Sequence, residues 1–253
     1  DDVVGRCDLY LLIDDRTYNA GKVINSKEWD SQGCFSPDGK YLYFVSSREG
    51  GYGGKDIWRS EIIKNRFSVP ENLGPMINTK SDEMSPFMHP DNLTLYFASN
   101  GHIGMGDYDI YISRRENAIN DWGEAINIGF PINTHNTENS LIVENNGETA
   151  YYTSNKSGFG LEDIFTFNLP KSIQADKISE IELEIITQKK REEIVLKNVV
   201  FSSNSFEIEK SSFDQLNELI IYLKKNPNIS IQIQGHTDNV GSEKDNLILS
   251  QQR

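Results

Sequence analysis

The chain has 253 residues, enough for one or two domains with a sizeable core, and a formal net charge of -13. That charge excludes nucleic acid as a partner, because neutralising phosphates takes a basic face. Its apolar runs fall short of the length a bilayer-spanning helix needs, and its two cysteines are too few for a disulfide scaffold. Cys7 and Cys34 stand in strand-like surroundings without metal-ligand neighbours and read as buried free thiols, with a disulfide between them as the alternative. The acidity is uneven: residues 1–170 carry 14 Lys and Arg against 25 Asp and Glu, and residues 171–253 carry 11 against 13. An acidic surface of this kind usually serves solubility.

From the N-terminus, the first pattern is a repeat. Cys7-Asp8-Leu9-Tyr10, Lys55-Asp56-Ile57-Trp58, Tyr108-Asp109-Ile110-Tyr111 and Glu162-Asp163-Ile164-Phe165 align on their aspartates. Before the last three runs a strand rich in aromatics: Tyr41–Ser47, Leu95–Asn100 and Ala150–Asn155. Ahead of each strand lies a turn, Ser36-Pro37-Asp38-Gly39, His89-Pro90-Asp91-Asn92 or Glu144-Asn145-Asn146-Gly147. Proline presets the first turn torsion, and glycine or asparagine accepts a positive one, so these are hairpin turns. A further element closes each cycle: Val23-Ile24-Asn25, Asn72–Asn78 and Asn127–Asn133. About four short strands per cycle of roughly 50 residues is the unit of a β-propeller blade, which buries its faces only against neighbouring blades.

These residues resemble the TolB-like Pro-Asp-Gly propeller repeats over essentially all of 1–170. Residue 1 falls inside a repeat, so the expected reason for the missing secretory signal is removal of the N-terminus, and the ring is expected to be incomplete. The recurring Asp8, Asp56, Asp109 and Asp163 have a metal or catalytic reading. Their recurrence in every blade favours another, in which each carboxylate accepts backbone N–H groups in the turn entering its strand. Gly50–Gly54 looks like a phosphate loop but lacks a following helix and a Lys-Ser/Thr pair, so it reads as an inter-strand loop. His89, His102, His135 and His236 are scattered, and no serine sits in a nucleophile elbow. Catalytic residues, metals and cofactors are therefore not expected.

From Lys171 to about Arg191, Ile178, Ile181, Leu183 and Ile185 stand among charges, which reads as a linker or short strand. Then Val199-Val200-Phe201 reads as a strand. Ser211–Lys225 reads as an amphipathic helix with Phe213, Leu216, Leu219, Ile220 and Leu223 on one face, capped by Ser211 or Ser212 and ended by Asn226-Pro227. An alternating run, Ile229, Ile231 and Ile233, ends in Gly235-His236-Thr237-Asp238-Asn239-Val240-Gly241, followed by Asn246, Leu249-Ser250 and Arg253. Here a strand end would hold Asp238, Gly241 would let the backbone bend, and the next helix would present Arg253. A carboxylate and a guanidinium facing one pocket suit a ligand carrying both an ammonium and a carboxylate.

This composite motif (GHTD, then G, N, LS and R) resembles the peptidoglycan-binding domain shared by OmpA, Pal and MotB. The resemblance implies that Asp238 receives the amino group, and Arg253 the carboxylate, of diaminopimelate in the wall's peptide stem. Thr237, Asn239 and Asn246 would support the turn, and His236 would pack and hydrogen-bond within it. Phe201-Ser202-Ser203-Asn204-Ser205 departs from the family's opening strand, and about half of the expected domain would lie beyond Arg253. The expected fold is thus mainly β: a partial β-propeller of four-stranded blades over 1–170, a linker over 171–192, and over 193–253 the first half of an α+β OmpA-like domain truncated at its C-terminus.

The fusion resembles outer-membrane-associated proteins of Bacteroidota, including the PorE type linked to type IX secretion and gliding. It implies a non-enzymatic tether in the periplasm, associated with the outer membrane, whose partners are peptidoglycan and an outer-membrane or periplasmic protein docked on the propeller. The alternative is a wall-localised enzyme with its active site on the propeller. A third reading, glycan binding by the propeller, would use exposed Trp29, Trp58 and Trp122, although tryptophans at such recurring positions are more often blade core.

Overall fold

The computed structural model describes residues 3–117, 121–156, 158, 160–179, 182–183, 199–202, 205–226, 231, 233 and 248–250. The chain divides into two compact units, Asp1–Ile178 and Ser179–Arg253.

The first unit is a row of propeller-like blades. It opens with a hairpin, β1 (Tyr10–Ile13) and β2 (Arg16–Asn19). The first blade contains β3 (Asp30–Phe35), β4 (Tyr41–Ser46) and β5 (Asp56–Ile63), with an outer strand in two pieces, β6 (Arg66–Phe67) and β7 (Glu71–Asn72), both paired to β5. The second runs β8 (Glu83–Met88), β9 (Thr94–Ser99), β10 (Asp109–Arg114) and β11 (Ile126–Asn127) in spatial order. The third has β12 (Glu138–Val143), β13 (Thr149–Ser154) and β14 (Asp163–Asn168). All named strand pairs are antiparallel, and the turns expected at residues 36–39, 89–92 and 144–147 join the first two strands of each blade. The β1–β2 hairpin occupies the third- and fourth-strand positions of a blade, as the alignment of Asp8 with Asp56 requires.

Blade stacking explains why β4 and β9 are buried along almost their whole length, both faces being covered, whereas β13 alternates half-buried and buried residues. Along β4, Leu42 and Phe44 join Ile24 and Trp58 in one cluster, while Tyr43 and Val45 join Ile57, Ile77, Leu95 and Phe97 in the next. Tyr96 then points the other way, into a third cluster with Ile110, Leu141, Ala150 and Tyr152. Each fully buried aliphatic or aromatic side chain of this kind contributes roughly 1.5–3 kcal/mol.

Four details of the first unit refine the sequence reading. The first unit extends to Ile178 rather than ending at residue 170, because Leu169, Ile173 and Ala175 are buried in the cluster between the second and third blades, and Ile178 N–H donates to Asn145. Cys7 and Cys34 are free, but each is half-buried rather than buried; desolvation still pushes the Cys34 thiol up to about 12. Trp58 and Trp122 are buried blade core, so they offer no exposed glycan platform; Trp29 is half-buried. First strands β3, β8 and β12 each carry a bulge, with Gln32, Ser85 and Ser140 at positive φ.

In the second unit, Phe201 bridges Ile208, and a 3-10 turn at Lys210–Ser212 leads into α1 (Phe213–Lys225). Ser212 occupies the N-cap position without capping; its hydroxyl instead accepts the N–H of Val200 at 2.9 Å, tying the strand to the helix. The buried stripe of α1 is rotated from expectation. Tyr222 is buried and Leu216, Leu219 and Leu223 are half-buried, while Phe213 and Ile220 are exposed. Ile181, Ile185 and Ile229 lie outside the described residues; Ile231 and Ile233 of the alternating run are described and exposed.

Candidate functional site

Of the C-terminal site, the structure describes the scaffold that leads to it: the residue 199–201 segment, α1 and a helical stretch at residues 248–250. The last of these covers Ile248, Leu249 and Ser250. Thr237, Asp238, Asn239, Asn246 and Arg253 themselves lie outside the described residues. Asn226 closes α1 by donating its side-chain N–H to Tyr222 at 2.9 Å, which places the expected helix end at the residue before Pro227.

The repeated aspartates of the first unit can be followed atom by atom. Asp8 accepts the N–H groups of Val4 at 2.7 Å and Gly5 at 2.9 Å. Asp56 accepts those of Tyr52 and Gly53, Asp109 those of Met105 and Gly106, and Asp163 that of Gly160. Each carboxylate therefore organises the turn before its strand. Burial pushes the Asp56 carboxyl above its ordinary value despite these bonds. At Asp8 burial acts in the same direction, but bonds from Val4, Asn19 and Gly5 outweigh it and hold the carboxyl below that value.

A second recurring element is an asparagine clamp. In Asn19–Asn25, Asn72–Asn78 and Asn127–Asn133 the pattern is Asn-x-Gly-x-x-Ile-Asn. The last asparagine accepts a backbone N–H and donates to the C=O of a single residue on the neighbouring third strand: Asn25 with Leu9, Asn78 with Ile57, Asn133 with Ile110, all at 2.8–3.0 Å. The first asparagine accepts from the last one and from the glycine N–H two residues on. Those glycines have φ near +80°, which an alanine would adopt only with strain. The clamp was half-visible in sequence as the closing element of each cycle; the Asn19-x-Gly21 copy completes it.

Acids open each first strand. Asp30, Glu83 and Glu138 are all buried. Glu83 accepts from Thr79 and Ser99, and Glu138 from Thr134 and Ser154. Asp30 accepts in the same way from Ser26 and also faces Arg48 at 2.7 Å, whose guanidinium donates to the Ile24 carbonyl as well. In the second blade His102 Nε2 donates to the corresponding Ile77 carbonyl at 2.8 Å. Buried His89 joins the second and third blades by donating Nε2–H to Glu144 O at 3.0 Å. Among the described residues, no group of three or more His, Cys, Asp or Glu is placed to hold a metal ion. Among the described residues these polar groups hold turns, strand ends and neighbouring blades.

A protein-family model described as OmpA family matches residues 200–253. That segment is an OmpA-family domain. The match begins at Val200, which Ser212 joins to α1, and extends through the Gly235–Arg253 motif. No curated protein matches the chain. Among solved structures, the chain is similar to TolB from Acinetobacter baumannii, with 13% identity and a TM-score of 0.44 over 62% of this chain and 33% of that one. It is also similar to a TolB-described structure from Agrobacterium tumefaciens, with 15% identity and a TM-score of 0.43 over 64% and 56% of the two chains. A puromycin hydrolase mutant complexed with PGG aligns at 12% identity and a TM-score of 0.30, over 62% and 30%. The chain thus covers about a third to just over half of these structures. Its blades are defined by their own strand order and register.

Proposed function

We propose that this protein is a non-enzymatic cell-envelope tether. Its OmpA-family domain binds peptidoglycan, and its bladed unit docks an outer-membrane or periplasmic protein, in the manner of type IX secretion and gliding components. The observation that carries the reading is the family match over residues 200–253, which includes the whole Gly235–Arg253 motif. One carbon of diaminopimelate bears an ammonium and a carboxylate. In this reading Asp238 takes the first and Arg253 the second through charge-assisted bonds, while Thr237, Asn239 and Asn246 hold the turn. A periplasmic, outer-membrane-associated location follows from the same ligand.

The guanidinium's planar fork is the specific requirement, because it can pair with both carboxylate oxygens where an ammonium cannot. Titration of the full-length protein with a soluble muropeptide containing diaminopimelate tests it. Arg253→Lys should weaken binding about tenfold, the loss expected when one charge-assisted bond of roughly 1.5–3 kcal/mol is compromised. Unchanged affinity would remove Arg253 from the site.

A further inference from the structure

The third blade differs from its neighbours in one respect that bears on docking. In the first and second blades the outer edge of the third strand is covered by an Asn-x-Gly-x-x-Ile-Asn segment. Its second residue donates to the Ile57 or Ile110 carbonyl at 3.1 Å, and its last asparagine clamps the N–H and C=O of the same residue. Ile57 and Ile110 are 0% exposed, their backbone groups clamped and their side chains packed in the clusters between blades. The aligned residue on β14 is Ile164, which pairs with Thr153 as Ile57 pairs with Val45 and Ile110 with Ala98. By this register the N–H and C=O of Ile164 face outward. Among the described residues no strand pairs with that edge, and Ile164 is 77% exposed.

The chain following β14 does not fill the gap. Asn168-Leu169-Pro170-Lys171-Ser172-Ile173-Gln174 continues from the strand end, lacks the glycine, and places glutamine where the clamping asparagine is required. Its Leu169 and Ile173 are used in the cluster facing the second blade. The edge also lacks the usual protection against pairing, since β14 (Asp-Ile-Phe-Thr-Phe-Asn) has no lysine, proline or bulge. It nevertheless keeps the Asp-Ile-aromatic start of the third strands that are clamped in the first two blades.

We propose that the outer edge of β14 is the docking site for a partner protein's extended segment of the form Asn-x-Gly-x-x-Ile-Asn. The segment adds backbone hydrogen bonds to the edge that no described strand pairs with, its isoleucine covers Ile164, and its last asparagine clamps the Ile164 N–H and C=O. The partner's chemistry is stated by the chain itself, which uses the same segment three times on its own third strands. The inference rests on the docking half of the proposed function and gives it a location.

The test is a titration of the intact protein with a synthetic peptide copying residues 70–79, followed by NMR or fluorescence anisotropy. The wild-type peptide should bind saturably, and a peptide carrying Asn78→Ala should bind about tenfold or more weakly, because both clamp bonds are lost. Ile164→Asp in the protein should abolish binding without lowering its melting temperature, the side chain being exposed. Absence of saturable binding, equal binding of the two peptides, or indifference to Ile164→Asp would each overturn the proposal. So would concentration-dependent self-association that Ile164→Asp abolishes, which would make a second copy the occupant. The titration contains no cell-wall material, so its failure leaves peptidoglycan binding standing, and loss of peptidoglycan binding would leave this site standing.

Discussion

Asn78 shows how much of the bladed unit hangs on single polar side chains. It is buried, clamps both backbone groups of fully buried Ile57, and donates to Asn72 at 2.8 Å. Truncation would leave the Ile57 N–H without a partner in a dry site, at about 1–3 kcal/mol for an orphaned buried donor. Asn78→Ala should therefore lower the unfolding free energy by about 2–3 kcal/mol in a denaturant titration; a loss below about 0.5 kcal/mol would show that the clamp is dispensable. At this scale the sequence was partly legible. The aspartates at 8, 56, 109 and 163 do organise turns, because an Asp followed by apolar strand residues in every blade has few other uses. The clamp asparagines were not recognised as such, because their partners lie 16 to 23 residues away in sequence.

Elements show where local pattern stops being informative. The aromatic middle strands and the turns before them were readable, since both follow from blade stacking and turn chemistry. The outer strands were not resolvable from sequence, because β7 and β11 are only two residues long and their pairing is completed by side chains. Nor were the first-strand bulges, because no glycine marks Gln32, Ser85 or Ser140, although φ is +52°, +50° and +53° there. Ser85 N–H donates to Gln32 Oε1 at 2.9 Å and its hydroxyl meets that of Ser140 at 3.3 Å, so the three bulges form a row across the blades. A left-handed torsion costs a residue with a Cβ roughly 1–2 kcal/mol, and more for a β-branched one. Ser85→Val should destabilise the protein by about 1–2 kcal/mol, while Ser85→Gly should be neutral or stabilising in the same thermal melt. The reverse order would mean that the hydroxyl row, and not backbone torsion, governs this position. The α1 face was misplaced for a related reason: Ser212 turns inward to bind Val200, and the buried stripe follows it toward Tyr222.

The whole molecule joins two kinds of surface. The first unit is an acidic stack of blades whose recurring acids hold turns and neighbouring segments together. The second contains the OmpA-family stretch, which the sequence made legible through five motif elements standing at the family's spacing, and on it we propose the ligand-binding residues. That Asp238 and Arg253 meet in one pocket is our proposal from their spacing. The central claim is that this stretch fastens the bladed unit to the cell wall through a carboxylate that receives an ammonium. Co-sedimentation of the purified full-length protein with isolated sacculi tests it most directly, comparing wild type with Asp238→Ala and checking by circular dichroism that both are folded. The account predicts that wild type pellets with the sacculi and that Asp238→Ala, equally folded, stays at least about tenfold more in the supernatant, the loss of one charge-assisted bond. Equal pelleting of the two proteins would contradict it.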